Sequence, residues 1–218
     1  MLFRSVANAV ARRYGDASGR VEAVCPVHRL DRDTSGVLVF ARNAATARRL
    51  SRGHVSGGLD RDYLAVVHGH PAGWGTIDCL TGPDPRHPVR QRVVLPEEAG
   101  VAPRFRPNGD PVPATAARAV TSFRVAAYGR DASLVAARLH TGRTHQVRLH
   151  LASVGHPLVG DDLYGGGPIG VDGAASWSGR HALHAWRVRF THPSHGRVVE
   201  VVAPLPEPLA RLVRSIVR

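Results

Sequence analysis

Residues 114–142 constrain the fold most. The runs "ATAARAVTSFRVAAYG" and "ASLVAARLHTG" have strand character and are joined by the turn word "GRDA", so they predict an antiparallel hairpin. A lone hairpin is marginal in water, so a sheet must be built around it. Further strands are expected at "VLVFA" (37–41), at "YLAVVHG" (63–69) and, briefly, at "RQRVVL"; "HALHAWRVRFTHP" and "GRVVEVVAPLP" should close as a pair about "PSHG". Helical spacing marks residues 2–13, residues 43–52 with Asn43 as cap, residues 144–155 with Thr144 as cap and Gly155 as stop, and the final "EPLARLVRSIV". Residues 81–113 predict a long loop, and "GDDLYGGGPIGVDG" a flexible glycine-rich one. Many strands, few helices, no repeat and no linker predict an α+β chain, with residues 1–218 as one domain.

The net charge is +12, and all 29 basic residues are arginine. Without lysine, Walker-type phosphate binding and Schiff-base catalysis are excluded. The positive balance suggests a polyanion, most simply nucleic acid, against the plainer reading of a basic surface with no partner. No apolar run is long enough to span a membrane, and the start lacks the layout of a signal peptide. A cytoplasmic protein is expected, with Cys25 and Cys79 as reduced thiols.

Several motifs carry chemistry in other settings. "DRDTS" from Asp31 fits the D-x-D-x-[TS] pattern of aspartyl-phosphate chemistry, but there the apolar strand precedes the acids, and here it follows. Asp31 and Asp33 as a glycosidase-like pair would lack an acid, since the flanking arginines keep both ionised. "GGGPIG" does not lie between a strand and a helix. Of the thirteen histidines, His181/His184 and His192/His195 are three apart, but no acidic or cysteine partners stand at ligand spacing, so no metal is expected. "HALHAW" reads as a strand with one histidine buried and hydrogen-bonded. In "HTGRTHQVRLH", Arg143 is expected at a helix start beside free N–H groups, where an anion would be held. That anion is either a phosphate or a carboxylate from elsewhere in the chain.

Taken together, "HRLDRDTSG", "DYLAVVHG", "LHTGRTHQVRLHLASVGHPLVGDDLYG", "LHAWRVRFTHP" and "APLP" resemble, in order and spacing, the RluA-type RNA pseudouridine synthases, over residues 28 to 208. The resemblance implies a bent, mixed, mostly antiparallel sheet flanked by helices and loops. It implies isomerisation of uridine in tRNA or rRNA without a cofactor. Asp31 matches the catalytic aspartate, Tyr63 the tyrosine lying against the base, and Arg143 the arginine that pairs with the aspartate. Arg29 matches the arginine that helps displace the base, and Leu139, Thr141 and His145 complete the substrate pocket. The chain departs from the family in three places. It opens inside the helix that normally follows the first strand, so the amino-terminal strand is expected to be missing. Arg32 stands where lysine is usual. The helix after Leu50 is interrupted by "GHVSGG", and Asp62 precedes Tyr63 where a basic or neutral residue is usual. No S4-like domain is expected, so the catalytic domain is expected to bind RNA alone, as a monomer. The alternative is an inactive RNA-binding relative that has lost its pocket.

Overall fold

A computed structural model describes residues 6–14, 24–51, 58–95, 98, 116–171, 174–177 and 180–217. Its centre is the expected hairpin. Strand β7 (Ala117–Tyr128) turns through residues 129–131 into β8 (Ala132–Leu139), and the two pair antiparallel. Strand β4 (Asp60–His68) lies on the other side of β8, and β11 (Leu183–Thr191) lies beside β4. The closing pair forms as expected, with β12 (Val198–Val202) antiparallel to β11. On the far side, β5 (Trp74–Pro83) pairs with β7 and β6 (Gln91–Val94) with β5. Strand β5 has no counterpart in the sequence reading. Its "WGTIDCLTGP" carries four turn-type residues, Gly75, Asp78, Gly82 and Pro83, and no clean alternation, and pairing with β7 overrides that weak propensity. Every neighbour along β12-β11-β4-β8-β7-β5-β6 is antiparallel. The two-residue β2 (Ser35–Gly36) adds in parallel to β11, so the sheet is mixed and mostly antiparallel.

The run "VLVFA" does not join the main sheet. Gly36 has φ 119°, and a Cβ there would overlap the Ala185 carbonyl. The chain touches β11 at β2, bonds Val37 N–H to Ala185 O at 2.8 Å, and then leaves the sheet. It ends as β3 (Phe40–Ala41), paired with β1 (Cys25–Pro26). Its valines pack beside Val27, Ala41, Leu50 and Val188 in a satellite core under helix α2 (Ala44–Ser51). Asn43 caps α2 as expected, its Oδ1 accepting the Thr46 N–H at 2.8 Å.

Helix α3 (Gln146–Ser153) packs on one sheet face, where Tyr63, Ala65, Val67, Val135, Ala137 and Leu139 meet Val147 and Leu151. Helix α4 (Glu207–Ile216) covers part of the other face, over Val66 and Ala132. Alternation along β4 sets these assignments. Asp62 faces away from Tyr63 and binds Arg138 and Arg187 across the neighbouring strands at 2.7–3.1 Å. The glycine-rich segment is built rather than loose. It holds a 3-10 turn (Asp162–Tyr164) and β9 (Ile169–Val171), which pairs with β10 (Ala174–Trp177). Gly166 leaves no room for a Cβ against the Leu158 carbonyl. Helix α1 (Val6–Tyr14) covers most of the first expected helix; residues 2–5, most of "GHVSGG", and residues 96–97 and 99–113 of the expected long loop lie outside the described residues. Among the described residues no helix is long and apolar enough to cross a membrane.

Candidate active site

Asp31 sits on the loop between β1 and β2, and the sheet pins that loop from below. Thr34 Oγ1 lies 2.7 Å from His181 Nε2. Ser35 Oγ lies 2.8 Å from His184 Nδ1, while His184 Nε2 bonds the Ala203 carbonyl at 3.1 Å. The carbonyl can only accept, so His184 carries its proton on Nε2 and the Ser35 hydroxyl donates to Nδ1. The histidine expected in "HALHAW" is therefore His184, and His181 joins it. Burial lowers the pKa of both rings, which keeps these contacts between neutral groups. The backbone turn is closed by Thr34 N–H to Asp31 O at 3.0 Å.

The facing wall is the segment between β8 and α3. Gln146, 3% exposed, knots it together. Its Oε1 accepts from Arg143 N–H and from the Thr141 hydroxyl, at 2.9 and 2.8 Å. Its Nε2 donates to Val120 O and to Thr121 Oγ1, both at 2.9 Å. The helix begins here, two residues after the expected Thr144 cap, and its N-cap, His145, has φ 56° and no side-chain cap bond. It is the one positive-φ non-glycine residue among those described. Gln146 thus takes the Arg143 N–H that was expected to attract an anion.

The ion pair expected between Arg143 and Asp31 is not formed. The Arg143 side chain is exposed, and its Nε bonds the Arg118 carbonyl at 3.1 Å. The guanidinium that reaches Asp31 belongs to Arg148, with Nη1 3.5 Å from Oδ2. His145 Nε2 stands 4.0 Å from Oδ1. Arg148 is itself gripped by Asp161 through two bonds of 2.8 Å, and the Tyr164 ring covers it, 5.2 Å from Cζ to centroid. Burial alone would lower this guanidinium's pKa; Asp161, then Asp31 and Tyr164, more than offset that and hold it above the ordinary value.

Between the two walls lies an open cleft of about 450 Å³. Asp31, Tyr63, Leu139, Arg143 and His145 line it, with Arg29 exposed at its mouth. Thr141 does not line it; its hydroxyl is spent on Gln146 and on Val120 N–H. Arg61, unremarked in the sequence, also lines the cleft and bonds the Thr141 carbonyl at 3.2 Å. Tyr63 is 5% exposed. Burial pushes its hydroxyl up to about 12, against the pull of Arg61, with Asp31 adding to the rise. The tyrosine is therefore neutral at physiological pH. Among the described residues no group of three or more His, Cys, Asp or Glu side chains is placed to hold a metal ion.

The sequence model of RNA pseudouridylate synthases matches residues 5–153. The chain belongs to the RNA pseudouridylate synthase family. It is 38% identical over 214 residues to the uncharacterized RNA pseudouridine synthase YhcT of Bacillus subtilis (strain 168), covering 97% of this chain and 62% of that protein. It is 36% identical over 194 residues to the ribosomal large subunit pseudouridine synthase D of Escherichia coli (strain K12), covering 86% and 54%. Human RNA pseudouridylate synthase domain containing 1 superposes with a TM-score of 0.58 at 29% identity, over 86% of this chain and 71% of that one. Human RNA pseudouridylate synthase domain containing 4, at 20% identity, shares the fold with a TM-score of 0.66 over 96% and 81%. The chain spans between about half and two thirds of the length of the curated relatives it matches.

Within this RNA pseudouridylate synthase family member, the residues missed from sequence are Arg148, Asp161 and Tyr164, besides Arg61. The need of Arg148 for an acid shows only once its helix is placed. Arg148 stands in "QVRLHL", a helix whose residues 146–151 are all buried, and a buried guanidinium needs an acid. "GDDLYG" supplies one, but the distance of thirteen residues gave no reason to join the two.

Proposed function

We propose that this chain isomerises uridine to pseudouridine in RNA, with Asp31 as the acting carboxylate. The observation that carries the reading is a single carboxylate, 14% exposed at its side chain, held at an arginine and facing a buried tyrosine across a cleft. The reaction breaks the N1–C1′ bond, turns the uracil and joins C5 to C1′; N1 gains a proton and C5 releases one. Bonds are exchanged without a net redox change, so no energy source is consumed. Asp31 acts at the ribose, by attack at C1′ or by assisting loss of the C2′ proton. Tyr63 forms the wall that retains the detached uracil, and its neutral hydroxyl takes the C5 proton only as it passes its own proton on. Leu139 and Leu183 keep the base from water.

A paired uridine must leave its stack, which costs a few kcal/mol. The planar guanidinium of Arg29 at the mouth fills the vacancy. Arg32 and Arg143, both exposed, meet phosphates. The relatives named for the large ribosomal subunit make ribosomal RNA the first substrate to test, with transfer RNA second. Purified protein should raise the pseudouridine content of unmodified bulk RNA, read by nucleoside chromatography, and Asp31→Ala should abolish this while RNA binding survives. RNA binding with no turnover by the unmutated chain would instead identify an inactive relative.

A further inference from the structure

We infer that Asp161 is a positioning residue, one that occupies Arg148 so that the Asp31 carboxyl stays loosely held. The inference rests on the assignment of Asp31 proposed above. Arg148 offers three nitrogens. Asp161 takes Nε and Nη2, each at 2.8 Å, in the two-point geometry that suits a guanidinium best. Asp31 receives only Nη1, at 3.5 Å. Two carboxylates therefore share one cation, and the nearer holds it.

Other groups do not restore the balance. His145 and His181 stand close, and burial lowers both, so they are neutral at pH 7. Tyr63 and Tyr164 are each pushed up to about 12, chiefly by burial, and stay neutral as well. Arg29 and Arg61 line the cleft, and Asp33 is engaged with Arg32. Among the described residues, Arg148 and His145 are the only cationic or titratable-base groups within 4.0 Å of the Asp31 carboxylate.

A carboxylate that must attack carbon or take a proton loses reactivity when a guanidinium grips it at two points, because the pair holds its lone pairs. Asp161 prevents that grip. Its own place is fixed by backbone bonds that a side-chain change leaves alone: Asp161 N–H to Leu158 O at 3.1 Å, and Tyr164 and Gly166 N–H to Asp161 O at 3.1 and 2.8 Å. Tyr164 closes the arrangement by stacking on Arg148, with its hydroxyl held by Gln91 N–H at 3.0 Å.

The test removes the carboxylate of Asp161 in two ways, Asp161→Asn and Asp161→Ser, the second adding no bulk should the first fail to fold. Arg148 then turns to Asp31. The expected result is a fall in kcat of tenfold or more with RNA affinity unchanged, and an acid limb of the pH–rate profile moved toward acid by about one unit or more. The same displacement should appear in a pH titration of the Asp31 carboxyl ¹³C resonance, which needs no turnover. A folded variant whose limb and resonance both stay at the wild-type position would overturn the inference and leave the Asp161–Arg148 pair a simple structural staple. Absence of turnover in the unmutated chain would count against the isomerase reading alone, since the resonance still decides the role of Asp161.

Discussion

Arg148→Met tests where the site's charge is held. Methionine keeps most of the stem packing of arginine and removes the guanidinium. Asp161 is 1% exposed, and its side chain would be left with neither water nor partner. Removing one member of a buried pair costs about 3–5 kcal/mol. For a chain of this size each kcal/mol lowers Tm by about 2–4 °C, so a loss of about 6–20 °C is expected. Urea unfolding followed by tryptophan fluorescence measures the free energy directly. The penalty is one of charge left buried without a partner. Adding Asp161→Asn should recover at least half of the deficit, because no buried charge remains. Arg143→Met, at the exposed position first expected to carry the pair, should change stability by less than about 0.5 kcal/mol. A deficit for Arg148→Met below about 1 kcal/mol, or one that the second substitution does not relieve, would refute the reasoning.

Four further outcomes are expected. Gln146→Leu removes four hydrogen bonds from a buried knot and should destabilise by about 2–4 kcal/mol in the same unfolding assay. Gly36→Ala places a methyl group on the Ala185 carbonyl, so it should detach the Asp31 loop from β11 and lower turnover by about a hundredfold, measured by pseudouridine yield. His150 is depressed from 6.5 to about 4 by burial; its contribution to stability is complete above pH 6.5 and is lost as pH falls through 4, so His150→Gln should flatten that part of the pH–stability curve by roughly 3 kcal/mol. Arg32→Ala, at a side chain 91% exposed, should reduce the slope of log binding constant against log salt by about one.

The sheet was legible where strands alternate and turns punctuate them, as in β7, β8, β11 and β12. It was illegible at β5, whose residues favour no element until β7 pairs with them. "VLVFA" looked like a strand of the main sheet because it is apolar, yet Gly36, at positive φ, turns the chain off that sheet just before it, and only Phe40–Ala41 pair, with β1. In the site, the words around Asp31, Tyr63 and Leu139 located one wall and the floor of the cleft. The partner of Asp31 was misplaced by five residues. Spacing alone put Arg143 at a helix start, whereas the Gln146 side chain delays the helix and takes the N–H. The true partner could be recognised only once α3 was known to be buried on all sides and Asp161 was seen to lie against it. Thr141 likewise seemed to face substrate, because nothing local announced that its hydroxyl would be consumed by Gln146.

The most direct measurement follows the hydrogen at C5. Joining C5 to C1′ must release it to water, so RNA carrying tritium at C5 of uridine reports every turnover. With unmodified ribosomal RNA and the unmutated chain, tritium should appear in solvent in step with pseudouridine. With folded, RNA-binding Asp31→Asn, none should appear above background. Release by Asp31→Asn at the rate of the unmutated chain would contradict the claim that this carboxylate does the chemistry.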